Sequence, residues 1–187
     1  TAEMSKLTEN ACRDVNIAFA NELSILCEKF GIDVWELINL ANRHPRINIL
    51  KPGSGVGGHC IAIDPWFIVS QAKEEAVIIR TARETNDNKP KWVVEKIIQT
   101  INEFKKKNNR EPVVGCMGIA FKPNIDDLRE SPSLDITQDL IQKGYNILVA
   151  EPNITSHNSI EITNYNEAIE KADILLFLVA HKEFKSI

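Results

Sequence analysis

The residues best placed to do chemistry lie in "KPGSGVGGHCIAIDP", residues 51–65, where His59, Cys60 and Asp64 fall close together behind a run of glycines. Glycine lets backbone approach a ligand closely, and a cysteine on such a loop is a better nucleophile candidate than one inside a helix. Cys12, Cys27 and Cys116 sit in apolar helix or strand contexts and are expected to be inert core residues. Asp64 can orient or deprotonate a water four residues after Cys60. Its alternative role is to cap the loop before Pro65. The alternative for the whole stretch is a plain surface loop. Gly53-Ser54-Gly55-Val56-Gly57-Gly58 also spells G-x-G-x-x-G. A dinucleotide site needs a strand before that pattern and a helix N-terminus after it. Pro52 precedes the first glycine here and Pro65 follows the last, so the flanks do not fit.

A second group lies near the start of the chain. Lys6, Asn10 and Arg13 recur at helical spacing and share one face. They form either a solvated polar stripe or a rigid rail that aims an ammonium, an amide and a guanidinium at one anionic site.

The elements that must position these groups follow from hydrophobic periodicity. Residues 2–30 read as one long helix closed by Gly31, and Asp33 can cap the next helix, "VWELINLAN". The Pro- and Gly-rich segment that follows has no helical period. Helix resumes near 66–87, "NDNKP" breaks it, and Pro90 suits the first turn of a helix that runs to about Asn108. From residue 112 the texture changes. "PVVGCMGIAF", "NILVAEP" and "DILLFLVA" read as buried strands, with the helices "LDITQDLIQKG" and "EITNYNEAIEKA" between them. That alternation predicts a parallel, doubly wound sheet. The expected class is α/β: a helical domain over 1–88, then an incomplete Rossmann-like domain over 89–187 whose sheet is expected to continue beyond the third strand.

Composition narrows the function. Apolar residues make up 43% of the chain, enough for a packed core. A net charge of −4 argues against nucleic acid or an acidic membrane surface as partner, so an anionic ligand would have to meet a local basic cluster. No apolar run approaches the ~20 residues of a membrane span. The cysteines form no C-x-x-C pair, which implies no zinc site, no disulfide framework and a reduced, cytoplasmic setting.

Two stretches, "AEMSKLTENACRDVNIAFANELSILCEKFGIDVWELI" and "GVGGHCIAIDPWF", resemble the central domain of the UDP-sugar 6-dehydrogenases. A third, "GIAFKPNIDDLRESPSLDITQDLIQKGYNILVAEP", resembles the UDP-binding domain of the same family. Within it, "NRHPRINIL" and "GGHCIAIDPWF" are most similar to the branch that acts on UDP-N-acetyl-D-mannosamine. UDP-glucose 6-dehydrogenases tend to carry Lys at the position of Ile63, which counts against UDP-glucose.

The resemblance implies oxidation of a sugar C6 alcohol to a carboxylate with two NAD, through a thiohemiacetal and then a thioester on Cys60. It implies that Lys6 exchanges protons with the C6 oxygen, that Asn10 donates to the oxyanion and that Asp64 handles the hydrolytic water. It also implies that Arg13, His44, Arg46, Gly58, Phe121 and Lys122 contact the UDP-sugar, with Arg46 reaching across a dimer interface, and that Arg129 lies near the cofactor. The alternative for His44 is a turn residue before Pro45, and for Arg129 a surface salt bridge with Asp126 or Asp127. The family's NAD-binding Rossmann domain has no counterpart in these residues, so the chain alone is expected neither to bind NAD productively nor to turn over. A homodimer built on the first helix is expected. The reading from a different class is a non-catalytic oligomerisation or nucleotide-sugar-binding module.

Overall fold

Helix α1 (Ala2–Phe30) ends where the periodicity predicts. Gly31 adopts φ 67, and the Ile32 N–H then donates to the Cys27 carbonyl at 2.9 Å, satisfying a group the helix end leaves free. Two residues on, the Asp33 carboxylate accepts from the N–H groups of Trp35 (2.7 Å) and Glu36 (3.2 Å) and caps α2 (Val34–Ala41). Asp33→Ala is expected to cost ~1 kcal/mol. Urea denaturation would show it as a lower midpoint at unchanged slope, and an unmoved midpoint would deny the cap any role.

The computed structural model describes residues 1–187 apart from the side chain of Ser186, in two units, Thr1–Lys89 and Pro90–Ile187. The first unit is completed by α3 (Asp64–Gln71) and by the start of α4 (Val77–Asn108). This differs from the sequence reading in two ways. The helix expected over 66–87 is interrupted after Gln71, and the break expected at "NDNKP" is absent because α4 runs on through Pro90. A proline inside a helix lacks the N–H for one backbone bond and its ring crowds the preceding turn, at a cost of about 3 kcal/mol. Buried polar contacts just ahead of it offset that cost. Arg83, Asn86 and Lys89 are 0%, 1% and 3% exposed, and each bonds to α1. Tertiary contacts hold the helical geometry that local propensity would end.

In the second unit, the end of α4 lays Val94, Ile97 and Ile101 against the core. The elements that follow are β1 (Val113–Met117), α5 (Pro132–Gln142), β2 (Asn146–Ala150), α6 (Tyr165–Lys171) and β3 (Ile174–Phe177). A short 3₁₀ turn, Lys182–Ser186, comes last. The strands are parallel in the order β2-β1-β3, with Val114 opposite Ile147 on one side and Ile174 on the other. The central strand is covered on both faces: Val114, Cys116 and Met117 are fully buried. Burial pushes the Cys116 thiol up to about 11, against a hydrogen bond from Thr137. Cys27 is buried as well, but Cys12 is exposed, contrary to the expectation for it. Cys12 falls on the solvent side of α1, where neighbouring apolar residues did not signal burial.

Candidate active site

The loop between α2 and α3 carries the nucleophile candidate. Gly58 is buried with φ 83, a conformation that strains any other residue, so the chain turns sharply there. Cys60 follows and is exposed. Its carbonyl accepts from the N–H groups of Ile63 (3.2 Å) and Asp64 (2.8 Å), which sets Cys60 one turn ahead of α3 and makes Asp64 that helix's first residue. The Asp64 carboxylate is held from α1: Asn10 Nδ2 donates to Asp64 Oδ2 at 2.5 Å.

The three polar residues of α1 part company. Asn10 is 7% exposed because it lies one turn before Asp14 on the buried side of the helix. Lys6 and Arg13 face solvent, and Lys6 Nζ lies 3.6 Å from Glu9 Oε2, a surface pair of little energetic weight. After α2, His44 and Arg46 occupy an exposed turn in which the Arg46 N–H donates to His44 Nδ1 at 3.3 Å.

In the second unit, the Phe121 N–H donates to the Asp127 carbonyl (3.1 Å), and Lys122 Nζ sits 6.0 Å from the Phe121 ring centre. Arg129 grips Asp127 with Nε–Oδ1 at 3.0 Å and Nη2–Oδ2 at 2.6 Å, the ion pair offered as its alternative role. That hydrogen bond holds the Asp127 carboxyl down at about 2.

Two buried polar groups escaped the sequence reading. In the first unit, Asp14 pairs with Arg83 with neither side chain exposed. Burial pushes the Asp14 carboxyl up to about 6, against the Arg83 charge and the Asn86 hydrogen bond. In the second unit, Glu151 and His181 are both buried. Glu151 Oε2 accepts from the N–H groups of Ile119 (2.8 Å) and Ala120 (3.1 Å), and it lies 3.1 Å from His181 Nε2. The Asn124 N–H donates to His181 Nδ1 at 3.0 Å, so Nε2 carries the proton and donates to Glu151. Burial would raise the Glu151 carboxyl, but the His181 bond and the backbone N–H groups outweigh it and hold it at about 2.

Glu151 also bears on the cofactor. It stands at the end of β2, where dinucleotide folds carry an acidic residue for a ribose hydroxyl. Here it turns inward onto the amides that follow β1, which in such folds meet a pyrophosphate. A carboxylate already fills that cradle, so these residues do not fit a dinucleotide. The acid at the end of "NILVAE" was the available signal. Which way it turned was not legible.

Residues 1–88 match the central domain of the UDP-glucose/GDP-mannose dehydrogenase family, and residues 115–187 match the UDP binding domain of that family. A UDP-N-acetyl-D-mannosamine dehydrogenase from Campylobacter jejuni is 58% identical over 98% of this chain and 46% of its own length. An NDP-N-acetyl-D-galactosaminuronic acid dehydrogenase from Ralstonia nicotianae is 55% identical over 100% of this chain and 44% of its own. Among solved structures, a UDP-N-acetyl-mannosamine dehydrogenase from S. aureus superposes with a TM-score of 0.87 at 41% identity, over 100% of this chain and 43% of that one. The chain thus spans about half the length of the curated relatives it matches. Two family domains matched in order, over all but residues 89–114, make this chain a member of the UDP-glucose/GDP-mannose dehydrogenase family.

Proposed function

We propose that this chain carries the catalytic cysteine and part of the nucleotide-sugar site of an NAD-dependent UDP-N-acetyl-D-mannosamine 6-dehydrogenase. The observation that carries the reading is the exposed Cys60 one turn ahead of Asp64, with Asp64 itself held by Asn10. Cys60 Sγ adds to the C6 aldehyde carbon, a C–S bond forms and the carbonyl oxygen takes a proton. Asn10 gives one amide hydrogen to Asp64 and keeps a second for that oxygen. Lys6, in solvent, can deliver the proton. At the thioester stage Asp64 takes a proton from the attacking water, the C–S bond breaks and the carboxylate leaves. NAD, when bound, supplies the hydride acceptor, at a site to which these residues contribute Arg129.

For the substrate, Arg13, His44 and Arg46 offer cations or donors to a diphosphate, Gly58 offers close backbone approach, and Phe121 and Lys122 offer a ring and a cation. Arg129 is assigned to the cofactor side, at the cost of its pair with Asp127. The exposed apolar side chains Phe19, Leu26, Phe30, Ile32, Trp35 and Leu40 of the α1–α2 region suit a homodimer. No helix among the described residues is long and apolar enough to cross a membrane. The cytoplasm is proposed as the setting because the cysteines form no disulfide framework and all four are free.

The 55% identity to a galactosaminuronic acid dehydrogenase favours a second reading, oxidation of UDP-N-acetylgalactosamine. A substrate panel on the intact protein decides by NADH release. The expected result is a kcat/KM for UDP-N-acetylmannosamine at least about tenfold above the galactosamine and glucose analogues. The reverse order would select the second reading, and no NADH with any sugar would leave a binding module.

A further inference from the structure

The loop from Gly53 to Asp64 has far more chain than it needs. Its twelve residues, eleven steps along the chain, can extend over about 36 Å, and its glycines resist ordering. Beside it, α1 presents a buried polar row. Asn10, Asp14 and Asn21 lie at i, i+4 and i+11, and since eleven residues make almost three full turns, all three share one narrow face about 16 Å long. Each point of the row reaches a different point of the loop. Asn21 Oδ1 accepts from the Gly53 N–H at 2.9 Å. Asp14 holds Arg83 Nη1, and that same nitrogen reaches the Ile61 carbonyl at 3.4 Å. Asn10 donates to Asp64. The order along the helix is the reverse of the order along the loop.

The points are also tied to one another. Asn21 Nδ2 donates to Asn86 Oδ1 at 2.8 Å, and Asn86 Nδ2 donates to Asp14 Oδ1 at 2.8 Å. Arg83 Nη2 bonds Asp87 at 2.6 Å. The arrangement is costly: Asp14 Oδ2 and Arg83 Nε are buried without a partner. A buried ion pair is poor value as a source of stability, and fixing register is its best-attested use. Apolar contacts would tolerate a loop that slides by one residue. These hydrogen bonds do not.

We infer that Asn21, Asp14, Arg83 and Asn86 are positioning residues: together with Asn10 they fix the loop antiparallel to α1 and so set where the Cys60–Asp64 turn stands relative to Asn10. The inference rests on reading Cys60 as the nucleophile, and its test is separable from that reading. Hydrogen exchange of peptides covering 53–64 in the intact enzyme reads the loop directly, while steady-state kinetics read its consequence.

Asn21→Ala should speed exchange at the Gly53 end by about tenfold, and Arg83→Lys should do the same at the Ile61–Asp64 end, with 34–41 in the same unit unchanged as the control for its folding. Asn21→Asp, which keeps the acceptor for Gly53 but loses the donor to Asn86, should restore part of the protection at Gly53. kcat should fall by up to about a hundredfold while KM moves little, because misplacing a reacting group harms chemistry more than binding. Parent-like exchange at 53–64 in folded Asn21→Ala overturns the inference whatever the activity. So does loosened exchange with kcat kept within about twofold. If Arg83→Lys does not fold, Asn21→Ala and its Asp counterpart still decide. If Cys60→Ser retains the parent rate, the catalytic reading fails on its own and exchange continues to decide the anchoring.

Discussion

Cys60→Ser in the intact enzyme is expected to lower kcat by at least about a thousandfold, roughly 4 kcal/mol of barrier, with nucleotide-sugar binding retained. The hydroxyl that replaces the thiol is a far weaker nucleophile at neutral pH, and among the described residues no general base is hydrogen-bonded to the Cys60 side chain. The exposed position of Cys60 makes a folding defect an unsuitable explanation for such a loss. Rapid-mix kinetics add a second readout. If oxidation stops before covalent capture, the variant should release at most one NADH per site and then stall. A variant that turns over at the parent rate would end the thiohemiacetal mechanism.

Glu151→Gln carries the largest expected effect on stability. The carboxylate is the shared acceptor for Ile119, Ala120, Asn153 and His181. An amide in its place turns a donor toward some of these donors, and no water can repair the contact at full burial. A carboxyl that titrates at about 2 when folded, against an ordinary 4.5, is worth roughly 3 kcal/mol. Because the folded value is depressed, that contribution is complete above 4.5 and is lost as pH falls toward 2. Chemical denaturation should therefore show the variant about 3 kcal/mol below the parent at pH 7, with the gap closing as pH drops below 4.5. A gap that keeps its size down to pH 3 would mean that something other than this carboxylate sets the difference. The loss should also loosen the segment that presents Phe121 and Lys122, since Asn124 is bonded to His181 at the far end of the same network.

Local rules accounted for the parts of the molecule that local forces build. The long first helix, its glycine stop, the Asp33 cap and the three alternating strands follow from side-chain periodicity and terminal hydrogen bonding, which act within a few residues. The loop was legible as a candidate site for a similar reason: glycines, a cysteine and an aspartate fall within one short stretch, and the family resemblance supplied the chemistry proposed for it. Pro90 shows where such rules stop. Read alone it ends a helix, yet α4 passes through it, because Arg83, Asn86 and Lys89 are fastened to α1 residues more than 60 positions away.

The same limit applies to polar residues. Spacing placed Lys6, Asn10 and Arg13 on one face of α1, and it did so correctly as helix geometry. It could not say that the edge of the protein runs through that face, leaving Asn10 buried against Asp64 while Lys6 and Arg13 stay in water. Nor could it say that Asp14 and Glu151, two ordinary acids in the text of the sequence, are fully enclosed. Burial is a property of what packs from elsewhere in the chain, and only that packing decides whether a carboxylate is a solvated surface group, a partner of a buried arginine whose carboxyl is pushed up to about 6, or the acceptor of two backbone amides and a histidine held at about 2. Periodicity and turn residues were enough to place the first two helices and the three strands and to mark Cys60 as the cysteine on a glycine-rich loop. The tertiary structure decided which polar groups are buried against that loop and bonded to it, because burial depends on what packs from far along the chain.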